Sequence, residues 1–296
     1  MEAGITGVPY QMDVARWGYA LGPQAFLDAG LAARLGRRGY ASGAPEWVAL
    51  PHAERTRDTV TNLGRIGGRT AASVAATLAR GALPVVLEGD CTHAVGAIGG
   101  LSQAYPRVGV LWFDAHGDLQ TMAATTSGYI GGMPYAVALG WDLDDWRTAA
   151  GLARPVPAEA CALLGTSDLD DAEVAALVRH PILHRTARDL AADGAASALE
   201  AALAARAGAA DAWYLHLDLD VAGPEAAPGG MTPAPYWPPR DRLAAAVAAA
   251  ARALPVRAVA LATYNPGGDP DRRAALLGLD LLDAALDGMA RHGARR

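Results

Sequence analysis

The twelve residues "VLWFDAHGDLQT" (110–121) decide how the rest of the chain is read. The first four are apolar and β-prone, the composition of a strand buried on both faces. Asp114, His116 and Asp118 follow at alternate positions, so ionisable groups gather at the end of a strand that belongs in a dry interior. The pattern recurs. "LPVVLEG" (83–89) runs into Asp90-Cys91-Thr92-His93, "CALLGT" (161–166) into Ser167-Asp168-Leu169-Asp170, and "DAWYLHLDLD" (211–220) closes on Asp218 and Asp220. A fifth strand-like run, "VRAVALATY", covers 256–264. Helical patterns lie before, between and after these runs, at 69–80, 92–105, 172–179, 191–206, 240–253 and 274–291. Strands alternating with helices predict an α/β protein with a parallel sheet covered on both faces. Ligands of such sheets bind at the carboxyl ends of the strands, which is where these polar groups sit.

Composition narrows the classes. With 296 residues and 52% hydrophobic content, the chain can bury one large core, so a single domain over 1–296 is expected. The net charge of −6, with no cluster of basic and aromatic residues, argues against nucleic acid and leaves small polar molecules open. No apolar run reaches membrane-spanning length. The N-terminal "MEAGITGVPYQMD" has no basic segment leading into an apolar one, so a cytoplasmic protein is expected. Two cysteines, Cys91 and Cys161, make no disulfide scaffold.

In an extended chain, residues two apart face the same way, so Asp114, His116 and Asp118 can address one point, as can Asp218 and Asp220. Carboxylates crowded without partners repel and take up protons. A multivalent cation removes that cost. Carboxylate-rich sites with an imidazole suit Mn²⁺ and its relatives, and two ions about 3.5–4 Å apart can activate water at neutral pH. A dinuclear hydrolase site is therefore expected, ahead of the simpler alternative that the aspartates only cap the following helices.

These motifs resemble the ureohydrolase family of arginase, agmatinase and formimidoylglutamase, and the resemblance spans nearly the whole chain. "GVPY…GYALGPQAFLDAGL" is similar to that family's N-terminal strand and first helix. "EGDCTH" stands where the family has G-G-D-H-S, "FDAHGD" for D-A-H-x-D, and "TTSGYIGGMP" for the S-G-N-x-H-G-x-P loop. "HLDLDVAGPEAAPGGMTP", with Thr232, matches S-x-D-x-D-x-x-D-P and a later T-P, and "TYNPGGD" matches E-V-N-P. The resemblance implies a three-layer α/β/α fold and two Mn²⁺ ions. One would be held by Cys91, Asp114, Asp118 and Asp218, the other by His116, Asp114, Asp218 and Asp220. It also implies hydrolysis of a guanidino or amidino C–N bond, with Asp118 accepting or relaying a proton. A small-molecule substrate and a homo-oligomer, trimer or hexamer, are implied as well.

Departures from the family pattern bear on substrate. Cys91 stands where most members have His, as it does in a branch that includes N-hydroxyarginine hydrolases; the alternative ligand is His93. Gly131 replaces a His that arginases use near the leaving group, and Thr263 replaces a Glu that would pair with a guanidinium. Ser127 is kept, but Gln120 and Tyr129 stand for Asn. Asp168 and Asp170 match acidic residues that face the substrate amine. His216 replaces a Ser and shares a face with Asp218 and Asp220, where it could support the ligands, act as an added base, or simply pack in the core. Trp112, Trp213 and Tyr214 read as core, and Tyr236 and Trp237 as a pocket entrance. The expected substrate is a modified arginine such as N-hydroxyarginine. The alternatives are a homologue that binds metal without turnover, or one acting on an amide or imine.

Overall fold

The computed structural model describes residues 1–232 and 234–294. Its centre is a parallel sheet whose main strands are β1 (Glu2–Val8), β2 (Leu83–Glu88), β3 (Val108–Phe113), β4 (Cys161–Thr166), β5 (Leu183–Thr186), β6 (Ala212–Asp218) and β7 (Val256–Ala262). From the Ala41–Ser42 edge the order is β1-β2-β7-β6-β3-β4-β5, with Glu46–Trp47 also pairing with β1. Side chains alternate between two cores. Leu111, Phe113, Leu215 and Leu217 enter one, and Val110, Trp112 and Tyr214 the other. Helices Arg240–Ala253 and Arg273–Gly293 cover the first core, and Thr59–Ala79 and Ala94–Ala104 the second. This is the three-layer α/β/α arrangement.

The chain order matters for the site. It leaves β2 and enters β3 without the two strands touching, and β6 and β7, made a hundred residues later or more, fill the gap. The register is level across the insertion: Leu87 pairs with Leu261, Leu261 with Leu217, and Leu217 with Phe113. The carboxyl ends of β2, β7, β6, β3 and β4 therefore open side by side at a topological switch point.

Three boundaries differ from the sequence expectation. The helix expected from 69 starts at Thr59, capped by the Asp58 side chain on the Thr61 N–H at 2.8 Å. Gly64, Gly67 and Gly68 hide its first half from propensity rules, but they serve packing. A Cβ on Gly67 would stand 2.5 Å from that of Ala150. The helix expected over 191–206 is two, Ala187–Ala191 and Ala195–Ala204, broken by Gly194 at φ +76°. The strand expected to reach Asp220 stops at Asp218, where a 3₁₀ turn, Leu219–Val221, takes over. The short strand β5 carries too weak a pattern, "LHRT", to be read in advance.

Candidate metal centre

Alternation along a strand is not what brings the acidic groups together. β3 ends at Phe113, and Asp114 to Asp118 form irregular backbone. Asp114 Oδ1 accepts the His116 N–H at 2.7 Å, Asp218 Oδ1 that of Asp220 at 2.7 Å, and Asp220 Oδ1 that of Ala115 at 3.2 Å. Side chain to backbone bonds thus curl each segment and tie the two together. Asp118 adopts φ +52°, and its carbonyl accepts the N–H groups of Tyr135 and Ala136, both at 3.0 Å.

Two groups of donor atoms result. Those of Cys91, Asp114, His216 and Asp218 lie within 4.8 Å of one another, as do those of Asp114, His116 and Asp220. Asp114 is common to both. Cys91 Sγ is 2.7 Å from Asp218 Oδ2 and 3.9 Å from Asp114 Oδ2, and His116 Nδ1 lies 3.4 Å from Asp114 Oδ1 and 3.0 Å from Asp220 Oδ2. Asp118 joins neither group, although its buried Oδ2 has no hydrogen-bond partner. His93 points away, its Nε2 2.9 Å from the Tyr10 carbonyl. Thr263, at φ +65°, donates from Oγ1 to Asp218 Oδ2 at 2.5 Å.

The electrostatics are those of a cavity made for cations. Burial first, then the neighbouring carboxylates, push Asp118 and Asp218 well above the ordinary range, and Asp220 up to about 6. Burial and Asp218 likewise hold the Cys91 thiol well up. For Asp114 burial is the largest single effect and acts upward too, but the several interactions with His116 together outweigh it and the net shift is down. Burial alone would lower His116, yet Asp114 and Asp220 raise it to about 12. Without metal the floor gathers protons: an imidazolium lies between Asp114 and Asp220, and Asp118 and Asp218 favour the neutral acid. These donors fit divalent ions, which would replace that positive charge.

Above the floor opens a pocket of about 210 Å³, lined by eight carboxyl groups and, among the described residues, by no arginine. Asp168, Asp170, Ser127, Gln120, Tyr129, Thr232 and Thr263 all face it. Gln120 Nε2 donates to Asp170 Oδ2 at 2.5 Å, while its Oε1 is buried without a partner. Ser127 Oγ accepts the Tyr129 N–H at 3.2 Å. The Tyr129 ring lies over Gly131, where a Cβ would stand 2.3 Å from it. The aromatic ring and the missing side chain are thus one local arrangement. Tyr236 and Trp237 are elsewhere, the first under the Arg188 guanidinium and the second against Gly223, and Tyr19 and Met231 form the pocket wall instead.

Several neighbours of the site escaped the sequence reading. Trp112 is core, fully buried, but its Nε1 also donates to Asp114 Oδ2 at 2.9 Å. Glu173 accepts the Leu119 and Asp170 N–H groups, both at 3.0 Å, and so ties the β3 and β4 loops together. Glu88, fully buried, accepts the Tyr214 hydroxyl at 2.8 Å and lies 3.2 Å from His216 Nδ1. A lone acid ending the apolar run "LPVVLE" was the available signal for it.

Residues 1–287 match the arginase family. The arginase of Bacillus caldovelox is 33% identical over 236 residues, covering 77% of this chain and 79% of its own. The solved Bacillus subtilis arginase superposes with a TM-score of 0.87 at 26% identity, covering 97% of this chain and 98% of that one. Formimidoylglutamase from Bacillus subtilis shares the fold, with a TM-score of 0.77 at 19% identity over 97% of this chain and 87% of that one.

Proposed function

The chain belongs to the arginase family of metal-dependent hydrolases acting on non-peptide C–N bonds, and from that premise we propose that its substrate is a modified arginine, such as N-hydroxyarginine, in preference to arginine. The observation that carries this reading is the pocket wall beside the donor groups. A fully protonated guanidinium buried there would look for a carboxylate of its own. Position 263 offers instead a hydroxyl already committed to Asp218, and position 131 offers no side chain. A less basic group, such as a hydroxyguanidine, needs less of that compensation.

In this reading Cys91, Asp114, His116, Asp218 and Asp220, with Asp118 beside them, would hold two divalent ions. When bound, such ions would supply an activated water and polarise the carbon under attack. The chain's own residues do the rest. Asp168 and Asp170 face the substrate's ammonium, with Gln120 holding Asp170 in place. Ser127, in a turn at the rim, meets the carboxylate. Asp118, buried and with a free Oδ2, takes the proton released in the addition step and returns it to the leaving nitrogen. Tyr129 closes the space over Gly131 and limits water around the leaving group.

The test is a panel of N-hydroxyarginine, L-arginine, agmatine and formimidoylglutamate, with manganese supplied and urea, hydroxyurea, ammonia or formamide measured as each requires. The expected result is kcat/KM for N-hydroxyarginine at least tenfold above that for arginine. Equal or better turnover of arginine would overturn the substrate assignment. Full metal occupancy with no turnover of any member would favour a binding homologue.

A further inference from the structure

We propose that His216 is itself a metal ligand, completing with Cys91, Asp114 and Asp218 the ion position that the motif resemblance gives to Asp118. The inference rests on reading the pocket as a metal centre. His216 Nε2 is 3.3 Å from Cys91 Sγ. A nitrogen and a sulfur bound to one tetrahedral ion at ordinary bond lengths stand about 3.5 Å apart. The two donors are therefore already spaced as co-ligands, and the donor atoms of Asp114 and Asp218 fall within 4.8 Å of both.

The surroundings of the other ring nitrogen suit a metal-binding imidazole. Glu88 Oε2 lies 3.2 Å from Nδ1 without hydrogen-bonding it, and the Tyr214 hydroxyl, whose proton goes to Glu88 Oε1, offers its oxygen 3.1 Å from Nδ1 as the acceptor for a ring proton there, the tautomer that turns the Nε2 lone pair to the cluster. The Tyr214 hydroxyl donates to Glu88 Oε1 at 2.8 Å and fixes that carboxylate in turn. Carboxylate, histidine and metal in line is a recurrent support for metal-binding imidazoles. The fold makes room for it. Glu88 on β2 and His216 on β6 flank β7, where Ala260 is the partner of both His216 and Val86, and a larger residue would separate them. Trp112 stacks on the imidazole with ring centroids 3.9 Å apart, which fixes the plane of the ring.

Charge supports the exchange. With a neutral imidazole in the shell, the anionic donors Cys91, Asp114, Asp218 and Asp220 balance two divalent ions, whereas Asp118 would add a further negative charge. It also makes the two positions chemically unlike. One offers sulfur, nitrogen and oxygen, which suits Zn²⁺, Co²⁺ or Fe²⁺, and the other nitrogen and oxygen, which suits Mn²⁺.

The direct measurement uses the wild-type protein, stripped by chelation, reloaded with Zn²⁺ and crystallised, with the ions located by anomalous scattering. The expected result is an ion about 2.1 Å from His216 Nε2 and about 2.3 Å from Cys91 Sγ. An ion at the Cys91 position more than 3 Å from Nε2 overturns the inference and leaves the metal-centre reading standing. A protein that takes up no divalent ion defeats both. In solution, Glu88→Gln should weaken one of the two ions by 10- to 100-fold and spare the other, and Asp118→Asn should still bind two. Wild-type affinity for both ions in Glu88→Gln and in His216→Asn would equally overturn the assignment.

Discussion

Two groups of aspartates in this chain have opposite arrangements. Asp280, Asp283 and Asp287 share one face of the helix Arg273–Gly293, three and four residues apart. Arg34 reaches Asp280 at 2.6 Å and Asp283 at 2.5 Å, Arg38 reaches Asp283 at 2.9 Å and Asp287 at 2.5 Å, and Arg240 also pairs with Asp280. Those carboxylates, partly exposed, dock the helix Leu31–Arg37 with charge the chain itself supplies. On the pocket floor Asp114, Asp118, Asp218 and Asp220 are far more deeply buried and, among the described residues, face no arginine. Where the counter-charge is encoded, the acids serve the fold. Where it is withheld, a place is kept for charge from solution.

Removing a shared acid should break the contrast most. Asp218→Ala is expected to empty both ion positions and cut kcat/KM by more than a thousandfold while leaving the circular dichroism intact. Elemental analysis checks it, and retention of two ions would refute the bridging role. Next in size is metal withdrawal. At a hundredfold excess over Kd each ion adds about 2.7 kcal/mol of stability, so chelation should lower Tm by several degrees, whereas high salt alone should not.

Acidity should act on the floor with a definite sign. His116 stays protonated up to about 12 and Asp220 up to about 6 in the metal-free chain, and Asp118 and Asp218 also favour the protonated form. Ions must displace these protons, so affinity rises with pH, by roughly tenfold per unit for each proton released. Calorimetry in buffers of different ionisation enthalpy counts them; affinity independent of pH between 6 and 8 would contradict the electrostatics described. The smallest effect belongs to the other cluster. Asp283→Ala should cost about 1 kcal/mol, less in high salt because the pairs are partly exposed, with metal content unchanged in elemental analysis.

The layers of the fold were legible because β2, β3, β4, β6 and β7 are strongly apolar and separated by helical periods. β5 was not, since "LHRT" at a sheet edge has little to bury. That Asp114, His116, Asp218 and Asp220 converge on one pocket could be read from spacing alone, but for an incomplete reason. Alternation suggested convergence, while turns closed by side chain to backbone bonds produce it. Glu88 could not be connected with His216 in advance, because their proximity depends on β7 lying between their strands, and strand order is not written in local pattern. The relation of Tyr129 to Gly131 was likewise invisible, since it depends on how a loop folds back on itself.

The late insertion of β6 and β7 between β2 and β3 has a consequence for biosynthesis. A nascent chain that has emerged only as far as β5 carries half of the acidic set, with the facing edges of β2 and β3 unsatisfied in their backbone hydrogen bonds. Such long-range pairings form slowly and leave the intermediate prone to association. The protein should therefore acquire its ions only after release from the ribosome, and truncation before residue 212 should yield insoluble material, not a smaller working unit.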